Sequence, residues 1–331
     1  AIDLDNYEKA WSGTGIRRIG LLSETATMPK GVSFETANSG GRYIFIGDED
    51  ETTDRNFYME MPKEGPSVFD AGHHGGVTFT GKWYSDMKKL ARLYLKGENA
   101  NPCVLDNALV EKVDGGVTYP LYITKLGGGI WRMNYNASRT LSGAMAVRAG
   151  TLQFTSIAAE GEASSLGLST NLRPDDSRAV DKGLTVPYAF ALGDNAGDGE
   201  PVFGYVGSAA ASVADRPLAL VGNGGTLKAA NGALDFSGVS ARDASEPTLK
   251  LVGAGEIGEI SDGAGKVSVE SDGDWVLKGN QTFSGDVKVN SGKLALKVPR
   301  TVEKQTYKWF RFNIAEVGGG ENYQVSLRQI M

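Results

Sequence analysis

Trp131–Phe154, WRMNYNASRTLSGAMAVRAGTLQF, and Trp275–Leu296, WVLKGNQTFSGDVKVNSGKLAL, decide the fold of this chain. Trp131 meets Trp275. After a two-residue slip, Thr140, Ser142, Gly143, Val147, Gly150, Leu152 and Phe154 face Thr282, Ser284, Gly285, Val289, Gly292, Leu294 and Leu296 without a gap. A partial third copy, GTLKAANGALDF at Gly225–Phe236, puts Gly232, Leu234 and Phe236 in the same places. Apolar residues two apart point to one face of a strand. The glycine before each pair suits a corner that needs positive φ or close backbone approach. The Ser-Gly step gives a second corner. A unit of short strands and corners cannot enclose its own apolar face, so it must stack on its neighbours.

Outward from these copies the chain reads as short strands cut by turns. Arg42–Ile46, Gly76–Thr80, Val117–Thr124, Leu218–Val221, Leu249–Val252 and Lys266–Glu270 are strand candidates. Gly127-Gly128-Gly129, Gly222-Asn223-Gly224-Gly225, Asn231-Gly232 and Asp272-Gly273 stand between them as turns. Only Trp83–Leu95 has rough helical spacing, and it reads equally as two short strands around a turn. The expected architecture is all-β, a parallel β-solenoid over residues 31–300 with repeat copies at 128–154, 225–236 and 274–296. Residues 1–30 are expected to be an N-terminal cap or linker, and 301–331 a C-terminal β-hairpin cap or the start of a cut β-sandwich module. β-Sandwich or jelly-roll modules are the alternative.

Composition excludes several classes. Glycine, at 45 of 331 residues, is about twice its ~7% ordinary share, without the triplet period of collagen. A net charge of −6 and no basic stripe beyond the interrupted Lys82, Lys88, Lys89, Arg92 and Lys96 argue against a nucleic-acid partner. No apolar run reaches the ~18–20 residues of a membrane span. The one cysteine, Cys103, cannot form an internal disulfide and reads as a small buried residue.

The repeat resembles a known family. The pattern W-x-L-x-G-x-N-T-Y/F-S/T-G-x-x-x-V-x-x-G-x-L is that of the autotransporter-associated β-strand repeat. Gly128–Trp131 with Leu141-Ser142-Gly143 and Gly150-Thr151-Leu152 resembles one copy, blurred by an insertion at Asn134–Ser138. Asp274–Leu277 with Thr282–Gly285 and Gly292-Lys293-Leu294 resembles a second, cleaner copy. The resemblance implies a right-handed parallel β-helix in a large exported bacterial protein, located outside the cell or at its surface. It implies no catalytic residues. Tyr307–Met331, with dense aromatics and then a glycine turn, is similar to the opening strands of discoidin-like modules.

Candidate chemistry is sparse. His73-His74 is a poor chelate, because neighbours on a strand point to opposite sides. The run Gly47–Glu51 with Asp54 reads as a solvated acidic loop. Asp194, Asn195, Asp198 and Glu200 surround two glycines and form the weak calcium candidate, without EF-hand register. No other cofactor is expected. Trp83, Trp131, Trp275 and Trp309 offer rings that stack on sugars, but the shared repeat position of Trp131 and Trp275 favours a core role. The expected function is structural, a passenger or stalk segment that spaces or displays other modules and has an adhesive or self-associating surface. The alternative is a glycan-binding or polysaccharide-degrading β-helix.

Overall fold

The fold is described from a computed structural model, for residues 16–17, 32–33, 42–44, 49–54, 56–59, 67–71, 75–85, 91–134, 141–168, 188–194, 199–213 and 216–297. Among these residues there is no helix. The strands stack in parallel into a solenoid with three faces. Face one runs through Arg42–Ile44, Ser67–Asp70, Ala91–Lys96, Leu121–Lys125, Met145–Val147, Phe190–Leu192 and Leu218–Leu220, and ends in the last residues of Gly224–Ala241 and Thr248–Ser261. Face two runs through Glu51–Thr53, Val77–Phe79, Cys103–Leu105, Ile130–Met133, Thr151–Phe154 and Val202–Tyr205. It continues in the first halves of Gly224–Ala241, Thr248–Ser261, Ser268–Lys278 and Val287–Lys297. Face three holds Val32–Ser33, Phe57–Met59, Trp83–Ser85 and Leu109–Val110 at one end. At the other end it holds Ala211–Val213 and the second halves of the long strands.

The stretch that reads as helix or strands resolves into two strands, Trp83–Ser85 and Ala91–Lys96, with 86–90 outside the described residues. Ile16–Arg17 pairs in parallel with Arg42–Ile44, so the stack reaches into the first thirty residues. Residues 298–331, and with them the expected C-terminal cap or module, lie outside the described residues.

Coil length changes along the axis. Phe57, Trp83 and Leu109 stack at intervals of 26 residues, whereas Gly255, Trp275 and Leu294 stack at 20 and then 19. The longer coils enclose rings. Phe69 stacks on Trp83 at 4.1 Å between centroids, Phe57 meets both Phe69 and Phe79 edge-on, and Phe79 lies parallel to Trp131. The shorter coils enclose mainly aliphatic side chains, and Trp275 fits only because its column neighbour is Gly255, where any side chain would fill the ring's space. Each fully buried Leu or Phe contributes about 1.5–3 kcal/mol of transfer free energy. This core is made by neighbouring coils, so no coil holds it alone.

Face one is buried on its outer side as well. Tyr122, Ala146, Ala191 and Ala219 point away from the core column of Ile123, Met145, Phe190 and Leu218 yet are buried in a second apolar cluster with Tyr188 and Val221. The Arg242 guanidinium lies 4.2 Å from the centroid of the Tyr188 ring and extends that cluster. Between faces three and one, Lys112–Asp114 and Val117–Tyr119 leave the coil as an antiparallel hairpin turned at Gly115-Gly116.

Candidate functional site

The repeat residues occupy corners and the interior. Trp131 and Trp275 are both buried, as are Leu152 and Leu234, while Leu294 is half-buried. In register, Trp131 lies against Leu152 on face two, and Trp275 lies against Leu294 on face three. Leu234 is on face three, in the column Leu234–Gly255–Trp275–Leu294. The first copy therefore sits one face out of phase with the other two. Aligned residues do not share a column, and the column mate of Trp131 in the last coils is Ser271 rather than Trp275. The cause is local. The pattern specifies a strand, a glycine corner and a second strand, and any corner of the triangle accepts that unit.

The corner glycines show why. Gly150 and Gly292 have φ of 61° and 72°, and a Cβ on either would run into the glycine backbone of the coil beneath, Gly127-Gly128 and Gly273 respectively. The Ser-Gly corners behave alike. Gly143 lies against the Leu121 carbonyl, Gly285 against that of Val267, and Gly232 against that of Ala209.

The weak calcium candidate is only partly within view. Asp194 is buried and takes two hydrogen bonds from Arg148, Nε to Oδ2 at 2.9 Å and Nη2 to Oδ1 at 2.8 Å. Glu200 accepts from Lys250 Nζ at 2.7 Å and from Thr226 Oγ1 at 3.0 Å, and the lysine contact holds its carboxyl below the usual range. Asn195 and Asp198 lie outside the described residues, as do His73 and His74. Among the described residues no group of three or more His, Cys, Asp or Glu gathers where it could hold a metal ion. In the acidic run, Asp50 is engaged by the Gly76 amide at 2.7 Å and Asn101 Nδ2 at 3.2 Å, and so ties adjacent coils together.

Three buried polar groups escaped the sequence. Glu111, at the base of the 112–119 hairpin, accepts from the Leu121 amide at 2.6 Å, the Ser142 hydroxyl at 2.5 Å and the Gly143 amide at 3.2 Å. Burial raises its pKa and these donors counter the rise. The network pins the hairpin's exit and return to the next coil. Lys125 occupies an inward position in the column Leu95–Lys125–Val147. Its Nζ donates to the carbonyls of Leu126, Gly127 and Ala149 at 2.8, 2.6 and 3.1 Å, and burial pulls its pKa down to about 7. Arg216 is buried beside the Phe190 ring and donates to the Ala159 carbonyl. The signal for Lys125 was alternation, since Leu121, Ile123 and Lys125 share one side of a strand. Glu111 carried no comparable signal.

Cys103 is inward on face two, accepts the Val77 amide at 3.2 Å and is pushed up by burial to about 11, so it remains a thiol.

Residues 123–154 and 271–296 match the passenger-associated-transport-repeat family. The chain carries two copies of this passenger repeat. The first match begins on face one and the second on face two, the same shift that separates the tryptophans. No curated protein and no solved structure matches the chain. The passenger repeat and the β-solenoid together fit a passenger-type structural protein, and the repeat implies a secreted or cell-surface setting.

Proposed function

We propose that this chain is a structural passenger segment of a secreted or cell-surface protein, spacing or displaying neighbouring modules without catalytic duty. The observation that carries the proposal is the presence of two passenger repeats inside one continuous parallel solenoid. The use of the side chains supports it. Inward positions of the repeats, Lys125 apart, are spent mainly on packing, and Trp83, Trp131 and Trp275 are buried, where no sugar can stack on them. Charged side chains on the outer surface pair along the stack. Lys250 joins Glu200, and Lys278 joins Asp235 at 2.6 Å and Glu256 at 3.2 Å, on two preceding coils. Exposed pairs of this kind contribute little each, ~0–1 kcal/mol, and they link coils that the backbone ladders already stack in chain order.

The experiment is export. The chain is placed between a secretion signal and an outer-membrane translocator barrel in a Gram-negative host, and intact cells are treated with protease. A folded, protease-resistant chain outside the cell is the expected result. A chain that folds when purified but stays inside, or is degraded on arrival, would overturn the passenger role.

A further inference from the structure

The last described coil ends in an open strand. Val287–Lys297 pairs with Ser268–Lys278 beneath it, and among the described residues no strand pairs on its far side. The strand crosses from face two to face three and turns between them at Ser291-Gly292, where Gly292 has a φ of 72°. Val287 and Val289 continue inward columns on face two, and Leu294 and Leu296 do so on face three. Val289 is 42% exposed and Leu296 41%, although Ser271 and Leu277 beneath them are buried. An unpaired edge with apolar side chains along it is a template for another strand.

The bonds to the coil beneath show which backbone groups are open. The Asp286 carbonyl accepts from the Val269 amide at 2.8 Å, and the Lys297 carbonyl accepts from the Gly279 amide at 3.2 Å. Backbone groups alternate sides along a strand. Val287 and Val289, and from the other end Leu296 and Leu294, therefore turn N–H and C=O to the open side.

These four residues are arranged symmetrically about the corner. Reversing the strand about Ser291-Gly292 sets Val287 opposite Leu296 and Val289 opposite Leu294. Each open N–H and C=O then meets an open partner, as the hydrogen-bonded pairs of an antiparallel ladder require. Each inward side chain meets an inward one. Charge fits as well. The strand carries Lys288, Lys293 and Lys297 and no acid, so stacking it in parallel on itself would set lysine over lysine. The reversal sets Lys288 against Ala295, Lys293 against Asn290 and Lys297 against Asp286. It also exchanges face two with face three, so the bend of one strand follows the bend of the other.

We propose that the Val287–Lys297 edge pairs antiparallel with the same edge of a second copy of this chain, about a two-fold axis through the Ser291-Gly292 corner. Such an interface is isologous and closes at two chains, joined end to end. The proposal concerns the end of the solenoid and does not depend on the passenger role.

The test uses two full-length variants, Lys288→Cys and Ala295→Cys, at outward positions. The two-fold makes these positions a non-hydrogen-bonded pair, with Cα atoms ~4.5 Å apart, within reach of a disulfide. Cys103 is buried, so the introduced thiols are the ones that react. Mixed and mildly oxidised, the variants are expected to give a linked dimer holding one chain of each. Either variant alone is expected to stay unlinked, because position 288 faces 295 and not itself. Linking that is as ready within one variant would overturn the register, and a mixture without linking would overturn the pairing. Light scattering of the parent should show a dimer whose mass stops rising with concentration. A strict monomer would leave the edge to the chain's own residues beyond Lys297 or to water. A mass that keeps rising would mean open-ended association. Either result overturns the proposal. Val289→Asp should keep the circular dichroism of the parent and raise the dimer dissociation constant at least ~10-fold. An unchanged constant sinks the inference.

Discussion

Leu152 and Leu294 hold the same place in the two passenger repeats, two residues after a left-handed glycine. One is fully buried between coils and the other is half-buried at the edge of the stack. Phe154 and Leu296, two residues further, differ more, at 0% and 41% exposed. The glycines before them do not differ, since Gly150 and Gly292 share their conformation and their contact with the coil beneath. A corner needs one neighbour, and a core needs two. The repeat sequence specifies the first requirement and only half of the second.

The largest effect is expected from breaking the core term. Leu152→Ala should cost about 2–5 kcal/mol, as for other buried leucines. Leu294→Ala should cost clearly less, about 1 kcal/mol, because the side chain is only half-buried. Paired denaturant titrations measure both, and equal losses would mean that Leu294 is as enclosed as Leu152. The corner term should behave oppositely. Gly150→Ala and Gly292→Ala should each cost about 1–3 kcal/mol for the forced left-handed residue, with the contact beneath adding to both. A silent Gly292→Ala would show that the edge copy does not make its corner as described.

The third contrast is electrical. Six residues before its tryptophan the first copy has Lys125, and the second has Val269. Burial lowers the Lys125 pKa to about 7 from 10.5, so between these values the unfolded chain binds the proton that the folded chain releases. Stability should therefore rise with pH across that window, by up to ~1.4 kcal/mol per pH unit. Lys125→Met should flatten the rise, whereas Val269→Leu should leave it intact. A parent protein with no slope between pH 7.5 and 9.5 would refute a neutral buried lysine. The smallest contrast lies in the indoles. Trp131 Nε1 donates to the Lys96 carbonyl at 2.8 Å, while Trp275 Nε1 is buried without a partner. Trp131→Phe removes one of the two hydrogen bonds that the Lys96 carbonyl accepts, the other coming from the Ala71 amide at 3.1 Å, and should cost ~1 kcal/mol more than Trp275→Phe. Thermal melts of the two variants decide it.

Much of the fold was legible. The alternation of Leu152 and Phe154, the glycine before them and their return at Leu294 and Leu296 already require strands, corners and stacking. Cys103 as a buried residue was legible too, because a lone cysteine among apolar neighbours has little else to do. Glu111 was not. In Val110–Val113 it reads as an ordinary surface charge, and its donors come from residues 10 and about 31 positions away. The phase of the copies was equally hidden. Matching Trp131 to Trp275 is correct as sequence and wrong as a column, because the faces are assigned by everything wound between the copies, including the 51 residues from Leu152 to Phe203.

The sequence by itself determined the class of structure, since period-two apolarity and corner glycines are demands that each unit makes locally. The tertiary structure alone decided which face each unit occupies, which leucine is enclosed, and which of the many charged residues is buried. Those outcomes depend on what lies one coil above and one coil below, and parallel stacking brings together residues about 20 to 50 apart whose spacing no single repeat records.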